Sequence, residues 1–158
     1  MDIFNPQLCL SKELKNSWST NLVTTLDPEK IPVEVAQGVP RLKLVHDSDS
    51  KEDWFACAIP LQSSWDPVDV TNFNLLKFTL YTDEVCGGLV RLEDEGGEES
   101  GDFELDMLNM GAGEEHTVTV ALAAFTGEPS KCDLKTAKLL KFVGYKGAAF
   151  YVSEICLE

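Results

Sequence analysis

The strongest constraint in this sequence is an apolar–polar alternation with a period of two, the spacing at which side chains share one face of a β-strand. Leu76, Phe78 and Leu80, for example, alternate with polar or amphipathic neighbours. Such segments are rich in β-branched and aromatic residues, and Gly-, Asp- and Ser-rich turns separate them. The predicted strands lie at residues 41–46, 54–61, 75–82, 89–93, 103–107, 116–122, 139–143 and 150–157.

Eight or nine short strands with regular turns predict an all-β fold, an antiparallel β-sandwich with two packed sheets. Helix is scarce, and only residues 133–138 suggest a helical turn, with Asp133 as its N-cap. The acidic stretch 93–106 is predicted to form a solvated hairpin, because Phe103 and Leu105 resume the alternation. The 158 residues contain no repeat or linker, so we expect one domain spanning 1–158.

Charge and cysteine content exclude several classes of partner. The net charge is −14, which disfavours nucleic acid and anionic membranes and favours a monomer. No apolar run is long enough to span a bilayer, and the N-terminal residues lack the features of a signal peptide. The five cysteines form no C-x-x-C pair and the two histidines are far apart. We therefore predict buried free thiols, with no zinc site.

Four segments, taken in order, resemble carbohydrate-binding modules of the jelly-roll, galactose-binding-like kind. They are residues 38–61, with a strand, a gap and a tryptophan-bearing strand; 69–80; 117–125; and 141–157. Together they cover about residues 38–158. The resemblance is to the β-glucan-binding modules of anaerobic plant-cell-wall degraders, such as those of cellulosomes.

The resemblance implies a non-catalytic module that binds plant cell-wall polysaccharide through aromatic stacking in a surface cleft. The expected ligand is a β-1,4-linked (cellulose-like) or mixed-linkage β-glucan, with xyloglucan and glucomannan as further options. It also implies secretion as part of a longer protein and an appended glycoside hydrolase as partner. Many such modules hold a structural calcium ion through acids in the closing strand and near the N-terminus. Ser153 and Glu154 occupy that closing stretch here, and residues 4–12 offer Asn5 rather than an acid. We therefore expect no cofactor or metal, with a structural calcium ion as the less favoured alternative.

Aromatic side chains on the outward parity are the candidate sugar platforms. Trp54 shares its parity with Ala56 and Ala58, which leaves an open trough before its ring. Tyr145 follows the strand at 139–143, where the resemblance implies an aromatic lining the cleft. Trp18 lies in a polar segment and is either a binding platform or a lid over the core. A tryptophan in the core is the competing interpretation of Trp54.

Polar candidates lie in the acidic half of the chain and in one further strand. Arg91 and Glu93 share an outward face, while Asp102 and Asp106 belong to the next strand, and these groups could bond sugar hydroxyls. Tyr81 has suitable chemistry but an ambiguous face. A solvated strand surface is the alternative interpretation of the charged residues.

Two other functions compete with glycan binding. A glycosidase needs two carboxyl groups, and acids are plentiful, but none is isolated in an apolar setting that would raise its pKa. We therefore expect no enzyme activity. A protein-interaction or assembly sandwich would use its acidic face to meet a basic partner, and it stands as the alternative function.

Overall fold

The computed structural model describes residues 1–4, 18–23, 33–36, 39–62, 64–105, 111–127 and 130–158. Within them the chain forms eleven strands: β1 (Asp2–Phe4), β2 (Trp18–Thr20), β3 (Val33–Ala36), β4 (Val39–Val45), β5 (Trp54–Pro60), β6 (Leu75–Tyr81), β7 (Gly88–Asp94), β8 (Phe103–Glu104), β9 (Glu115–Ala121), β10 (Ala137–Tyr145) and β11 (Ala149–Leu157). Three short 3-10 helices lie at Val70–Asn72, Leu122–Thr126 and Leu134–Thr136. No helix in these residues has the length and apolarity needed to cross a membrane.

The strands form two antiparallel sheets that pack face to face. The six-stranded sheet has the order β3-β4-β11-β6-β9, with β1 also paired to β11. The five-stranded sheet has the order β2-β5-β10-β7-β8. From β4 onward the chain crosses repeatedly between the sheets, and the turn after Tyr145 carries it from the centre of one sheet to the centre of the other. The predicted all-β sandwich of two packed sheets is confirmed.

All eight predicted strands are present, with boundaries shifted by a few residues at most where the structure describes them. Residues 106 and 107 of the fifth lie outside the described ranges. The three strands that the prediction missed, β1 to β3, all lie before residue 37 and have only three or four residues each. The predicted helical turn is the 3-10 helix at Leu134–Thr136, where the Asp133 carboxylate accepts a hydrogen bond from the Lys135 backbone at 2.9 Å.

The core lies between the sheets and follows the predicted parity. In β5, the inward-facing Phe55, Cys57 and Ile59 are fully buried. Aromatic rings from opposite sheets meet edge to face, with centroids 5.6 Å apart for Phe55 and Phe150. Such pairs stabilise a core beyond the burial of their apolar area.

Two glycines make room for these rings. Gly144 of β10 pairs with Phe55 and with Gly88. A Cβ atom built on Gly144 would lie 2.3 Å from the Phe55 ring, and one on Gly88 would lie 2.2 Å from the Phe150 ring. Each ring therefore occupies the space where a neighbouring side chain would otherwise stand.

The acidic hairpin after β7 is exposed at residues 95–98, as predicted, but Asp94 at its base departs from the predicted solvated stretch. Asp94 is buried, and its carboxylate accepts hydrogen bonds from the backbone N–H groups of Gly96, Glu98 and Asp133 at 2.9–3.0 Å. Burial opposes ionisation of Asp94, but these hydrogen bonds outweigh it and hold its pKa below the ordinary value. Asp94 therefore organises this turn from within rather than facing solvent.

The four cysteines in the described ranges are free thiols, as predicted, but only Cys57 among them is buried; Cys86, Cys132 and Cys156 are partly exposed, and Cys9 lies outside those ranges. Cys57 is fully buried, and burial raises the pKa of its thiol. Burial, together with the charges of Asp94, Asp133 and Glu93, raises the pKa of Cys132 to about 12. Neither group is a thiolate near neutral pH, so neither has the character of a reactive cysteine.

Gly144→Ala should destabilise the fold, because the new methyl group would overlap the Phe55 ring. We expect a loss of about 2 kcal/mol in the free energy of unfolding, measured by urea denaturation. Gly127→Ala is the matched control, because its Cβ would meet no atom within 4 Å and its φ of −68° suits alanine. Equal stability of the two variants would contradict this account of the core.

Candidate functional site

An open groove crosses the outer face of the five-stranded sheet; Trp54 lines it, and Tyr145 stands beside Trp54 on the same face. Trp54, the first residue of β5, is directly opposite Tyr145, the last residue of β10. Directly opposed residues have Cβ atoms about 5 Å apart. Trp54 is 41% exposed and Tyr145 is 43% exposed, so both side chains are accessible to a ligand.

The floor of the groove is built from small and apolar side chains. One residue row further along the strands, Ala56, Val143 and Leu89 stand side by side in register. Their outward side chains are short beside Trp54, which leaves a depression in front of it. That depression has a volume of about 310 Å³ and is lined by Trp54, Ala56, Arg91, Glu99, Lys141 and Val143.

The opposite side of the groove is a chain of alternating charges. Lys141 forms ion pairs with Glu93 and, at 2.7 Å, with Glu99. The other oxygen of Glu99 accepts a hydrogen bond from Arg91 at 2.6 Å, and Arg91 also pairs with Asp102 at 2.9 Å. The side chain of Lys141 is only 9% exposed. The network therefore holds its polar groups in fixed positions.

This network shifts the protonation of its own members. Partial burial opposes ionisation of Glu99, but hydrogen bonds and positive charge from Lys141 and Arg91 hold its pKa below the ordinary value of 4.5. Burial likewise disfavours the charged form of Lys141, yet Glu93 and Glu99 raise its pKa above the ordinary value. Each group is thus kept charged by its neighbours near neutral pH.

A second depression continues the groove toward the edge of the sheet. It has a volume of about 270 Å³ and is lined by Arg91, Glu99, Ser100, Gly101 and Asp102. Arg91 and Glu99 line both depressions. The open surface therefore runs across the strands from β5 to the residues that precede β8.

The structure brings five of the predicted binding residues to this one sheet face: Trp54, Tyr145, Arg91, Glu93 and Asp102. The backbone of Trp18 pairs with Ala58 in the same sheet, but its side chain lies outside what the structure describes. Asp106 lies outside the described residues altogether. The face that Trp54 and Tyr145 share is therefore the centre of the candidate site.

Tyr81 is a correction to the predicted set. It lies in β6 of the other sheet and is only 3% exposed. Its ring packs edge to face on Tyr151 at 5.8 Å and lies under the Arg41 guanidinium, and its hydroxyl donates to Asp83 at 2.8 Å. Because this ring is enclosed by its own neighbours, it does not belong to the groove.

Lys141 and Glu99 are the groove residues that sequence reasoning missed. Lys141 has the same strand parity as Tyr145, so its placement on the face of Tyr145 could have been read from the sequence. Glu99 follows the turn after β7, where it forms an isolated bridge with Glu93. No periodicity marks such a position, and only the fold brings it to Lys141.

The described ranges contain no group of three or more His, Cys, Asp or Glu side chains arranged to hold a metal ion. Ser153, which is buried, and Glu154, which is exposed, lie in β11 at a register shift, and Glu154 has a φ of 52°. Residues 5–12, which make up most of the N-terminal segment considered for a calcium site, lie outside the described ranges. The expectation of no bound ion therefore stays a prediction.

Known proteins match this chain in structure but not in sequence. No family model and no curated protein matches it in sequence. The family 30 carbohydrate-binding module of the cellulosomal cellulase Cel9D-Cel44B of Clostridium thermocellum superposes with a TM-score of 0.73 at 18% identity, over 99% of this chain and 95% of that chain. A second family 30 module gives 0.71 at 20% identity, over 100% and 98%.

More distant modules share the architecture. The family 11 carbohydrate-binding module of the cellulosomal cellulase Lic26A-Cel5E of Clostridium thermocellum gives a TM-score of 0.57 at 9% identity, over 90% of this chain and 82% of that chain. The chain therefore has the jelly-roll fold of carbohydrate-binding modules. The resemblance seen in the sequence is confirmed at the level of the fold.

Replacing Lys141 should change the titration of Glu99. In the native protein, the pairing of Glu99 stabilises the fold above the ordinary pKa of 4.5, and this contribution is lost as the pH falls through the lowered value. Lys141→Met removes the partner, so we expect the pKa of Glu99 to rise, measured by NMR titration of its carboxyl carbon. Lys146→Met, which removes an exposed lysine whose ion-pair partner in the described ranges is Asp53, should leave the pKa of Glu99 unchanged. An unshifted Glu99 in Lys141→Met would contradict the assigned network.

Proposed function

We propose that this chain is a non-catalytic module that binds plant cell-wall β-glucan, with either β-1,4 or mixed linkages, in the groove of the five-stranded sheet. The observation that carries the proposal is the pairing of Trp54 with Tyr145. Two exposed aromatic side chains stand in register beside a fixed set of hydrogen-bonding groups. A sugar polymer needs both kinds of contact at once.

The aromatic side of the groove suits the apolar faces of sugar rings. A pyranose has C–H groups on its faces and hydroxyls around its edge. An indole or phenol ring can cover the C–H face while the hydroxyls remain free to bond elsewhere. Large, exposed aromatic residues are otherwise unfavourable in water, and two of them side by side on one sheet suggest a ligand that covers them.

The charged side suits the hydroxyl edges. Arg91 supplies donors, while Glu99 and Asp102 supply acceptor oxygens. Their mutual ion pairs already hold these side chains in place, so little conformational entropy is lost when a sugar binds. Between the two sides, Ala56 and Val143 leave space for the polymer to approach the sheet.

Three further features support a neutral, polymeric ligand that is bound but not hydrolysed. The groove is open at the surface, as a chain longer than a few sugars requires. The pKa of Glu99 is lowered, the opposite of what a general acid for glycoside hydrolysis needs. The solved structures of similar fold include a family 11 module of Clostridium thermocellum in complex with a β-1,3-1,4-mixed-linked tetrasaccharide.

The biological setting follows from the same proposal. We infer a secreted parent protein in which this monomeric module is joined to a glycoside hydrolase. Tethering raises the effective concentration of an enzyme on an insoluble polymer, so a module of modest affinity is sufficient. Binding constants of micromolar to millimolar order, about −8 to −4 kcal/mol, would serve that purpose.

Trp54→Ala and Tyr145→Ala should each weaken binding to soluble mixed-linkage β-glucan at least tenfold, a loss of about 1.4 kcal/mol. The measurement is isothermal titration calorimetry, with affinity electrophoresis as a second method. Trp65→Ala is the control, because Trp65 packs against Lys138 at 4.8 Å beyond the other end of β5. It should retain native affinity. If the native protein binds none of β-glucan, xyloglucan, glucomannan and xylan, the proposal is wrong. The alternative function, a protein-interaction domain with an acidic face, would then be favoured.

Gly87→Ala should weaken the same binding by a different route. A Cβ on Gly87 would lie 2.8 Å from the Tyr145 ring, so the ring must turn away from its position opposite Trp54. We expect several-fold weaker binding with an unchanged free energy of unfolding, because Gly87 is exposed and the ring is free to move into solvent. Native affinity in Gly87→Ala would show that the position of the Tyr145 ring is unimportant.

A further inference from the structure

We propose that the groove selects by charge, accepting neutral glycan chains and rejecting chains that carry carboxylates, such as uronate-bearing polysaccharides. This inference rests on the proposed function and specifies the class of polymer that the same site takes. It arises from the excess of negative groups along one side of the groove.

The ion-pair network does not neutralise the groove. Lys141 and Arg91 are the two cations that the described residues place on this surface between Trp54 and β8. The same surface carries four carboxylates, those of Glu93, Glu99, Asp102 and Glu104. The two cations balance two of these charges, so a net charge of −2 remains. Both cations are already engaged by these carboxylates, which leaves neither available to pair with an acidic sugar.

Glu104 is the carboxylate on which the discrimination depends most. It stands opposite Leu89 in the β7–β8 pairing, at the end of the row formed by Ala56, Val143 and Leu89. It is exposed, and among the described residues it forms no ion pair. A ligand lying along the groove floor would therefore end beside an unneutralised charge.

The field of these carboxylates reaches the aromatic side. Burial is the main cause that raises the pKa of the Tyr145 phenol, and the negative charges of Glu104 and Asp102 raise it further against a smaller opposing effect of Arg91. Glu104 and Asp102 therefore act electrostatically on the aromatic side of the groove as well. A carboxylate on a sugar bound near Tyr145 would be repelled by the same two groups.

Long-range charge acts in the same direction but more weakly. The whole chain carries a net charge of −14, which lowers the local concentration of any polyanion. Salt screens exposed charges, with a Debye length of about 10 Å at 0.1 M and about 3 Å at 1 M. Repulsion by the groove must therefore be distinguished from repulsion by the net charge of the chain. Two substitutions that each remove one negative charge, one inside the groove and one outside it, make this distinction.

The test compares two soluble polymers with the same β-1,4-glucan backbone, neutral hydroxyethyl cellulose and anionic carboxymethyl cellulose. Binding is followed by tryptophan fluorescence and calorimetry. At about 20 mM NaCl we expect the neutral polymer to bind about tenfold more tightly, and at about 0.5 M NaCl we expect the difference to fall to about twofold, because added salt screens the repulsion. A difference that is absent, or that does not change with salt, would overturn the proposal.

Two matched variants locate the effect. At low salt, Glu104→Gln should reduce the affinity ratio between the neutral and the anionic polymer about threefold, by strengthening binding of the anionic polymer. Asp66→Asn removes one negative charge from an exposed turn beyond the other end of β5. It should leave the affinity ratio between the neutral and the anionic polymer unchanged. Equal effects of the two variants would assign the selectivity to net charge and overturn the role of the groove. Binding of neither polymer by the native protein would instead overturn the proposed function itself.

Discussion

The contact between the Phe55 ring and Gly144 fixes the register of β5 against β10, and the groove depends on that register. The Phe55 ring fills the space that a side chain at position 144 would occupy. A register shift that brought any other residue of β10 opposite Phe55 would therefore cause a clash. The next outward pair along the same two strands is Trp54 and Tyr145. A shift of one residue would turn these aromatic side chains into the core and Phe55 out to water. The core contact and the binding surface are therefore two results of one alignment.

The charged side of the groove has a different origin. Lys141 is almost completely removed from solvent, a costly position for an ammonium group unless carboxylates surround it. Glu93 and Glu99 meet that requirement, and Glu99 connects Lys141 to Arg91. Without Glu99, Lys141 would keep its pair with Glu93 and Arg91 its pair with Asp102, so Glu99 is the link that joins two ion pairs into one network. Its value for binding lies in the fixed placement of donors and acceptors more than in stability.

Much of the fold and part of the site were predictable from the sequence, for identifiable reasons. Period-two alternation, together with the short apolar runs in β5 and β10, predicted every strand from β4 onward, and the parity within β5 put Trp54 outward and Phe55 inward. Asp133 and its capping bond followed from local chemistry. Strands β1 to β3 were too short to show a period, although the alternation of valine and glutamate in β3 was a weak signal.

Long-range contacts account for what the sequence did not reveal. Tyr81 has an outward parity, and only the tertiary structure shows that Arg41 and Tyr151 enclose it. Asp94 and Glu99 read as solvated acids in a polar run. The backbone of residues 96–98 and 133, and the side chains of Lys141 and Arg91, give them their roles. Partners 39 and 42 positions away in sequence cannot be inferred from local pattern.

Alternation along β5 and β10 has a consequence for divergence. Neighbouring residues of one strand are under different constraints. The inward residues must fill the core, whereas the outward residues must fit the ligand that binds at the surface. Substitutions in the outward set leave the interior untouched. The outward residues can therefore differ widely between proteins that share the sandwich, and a solved module shares this fold at 18% identity over 99% of the chain.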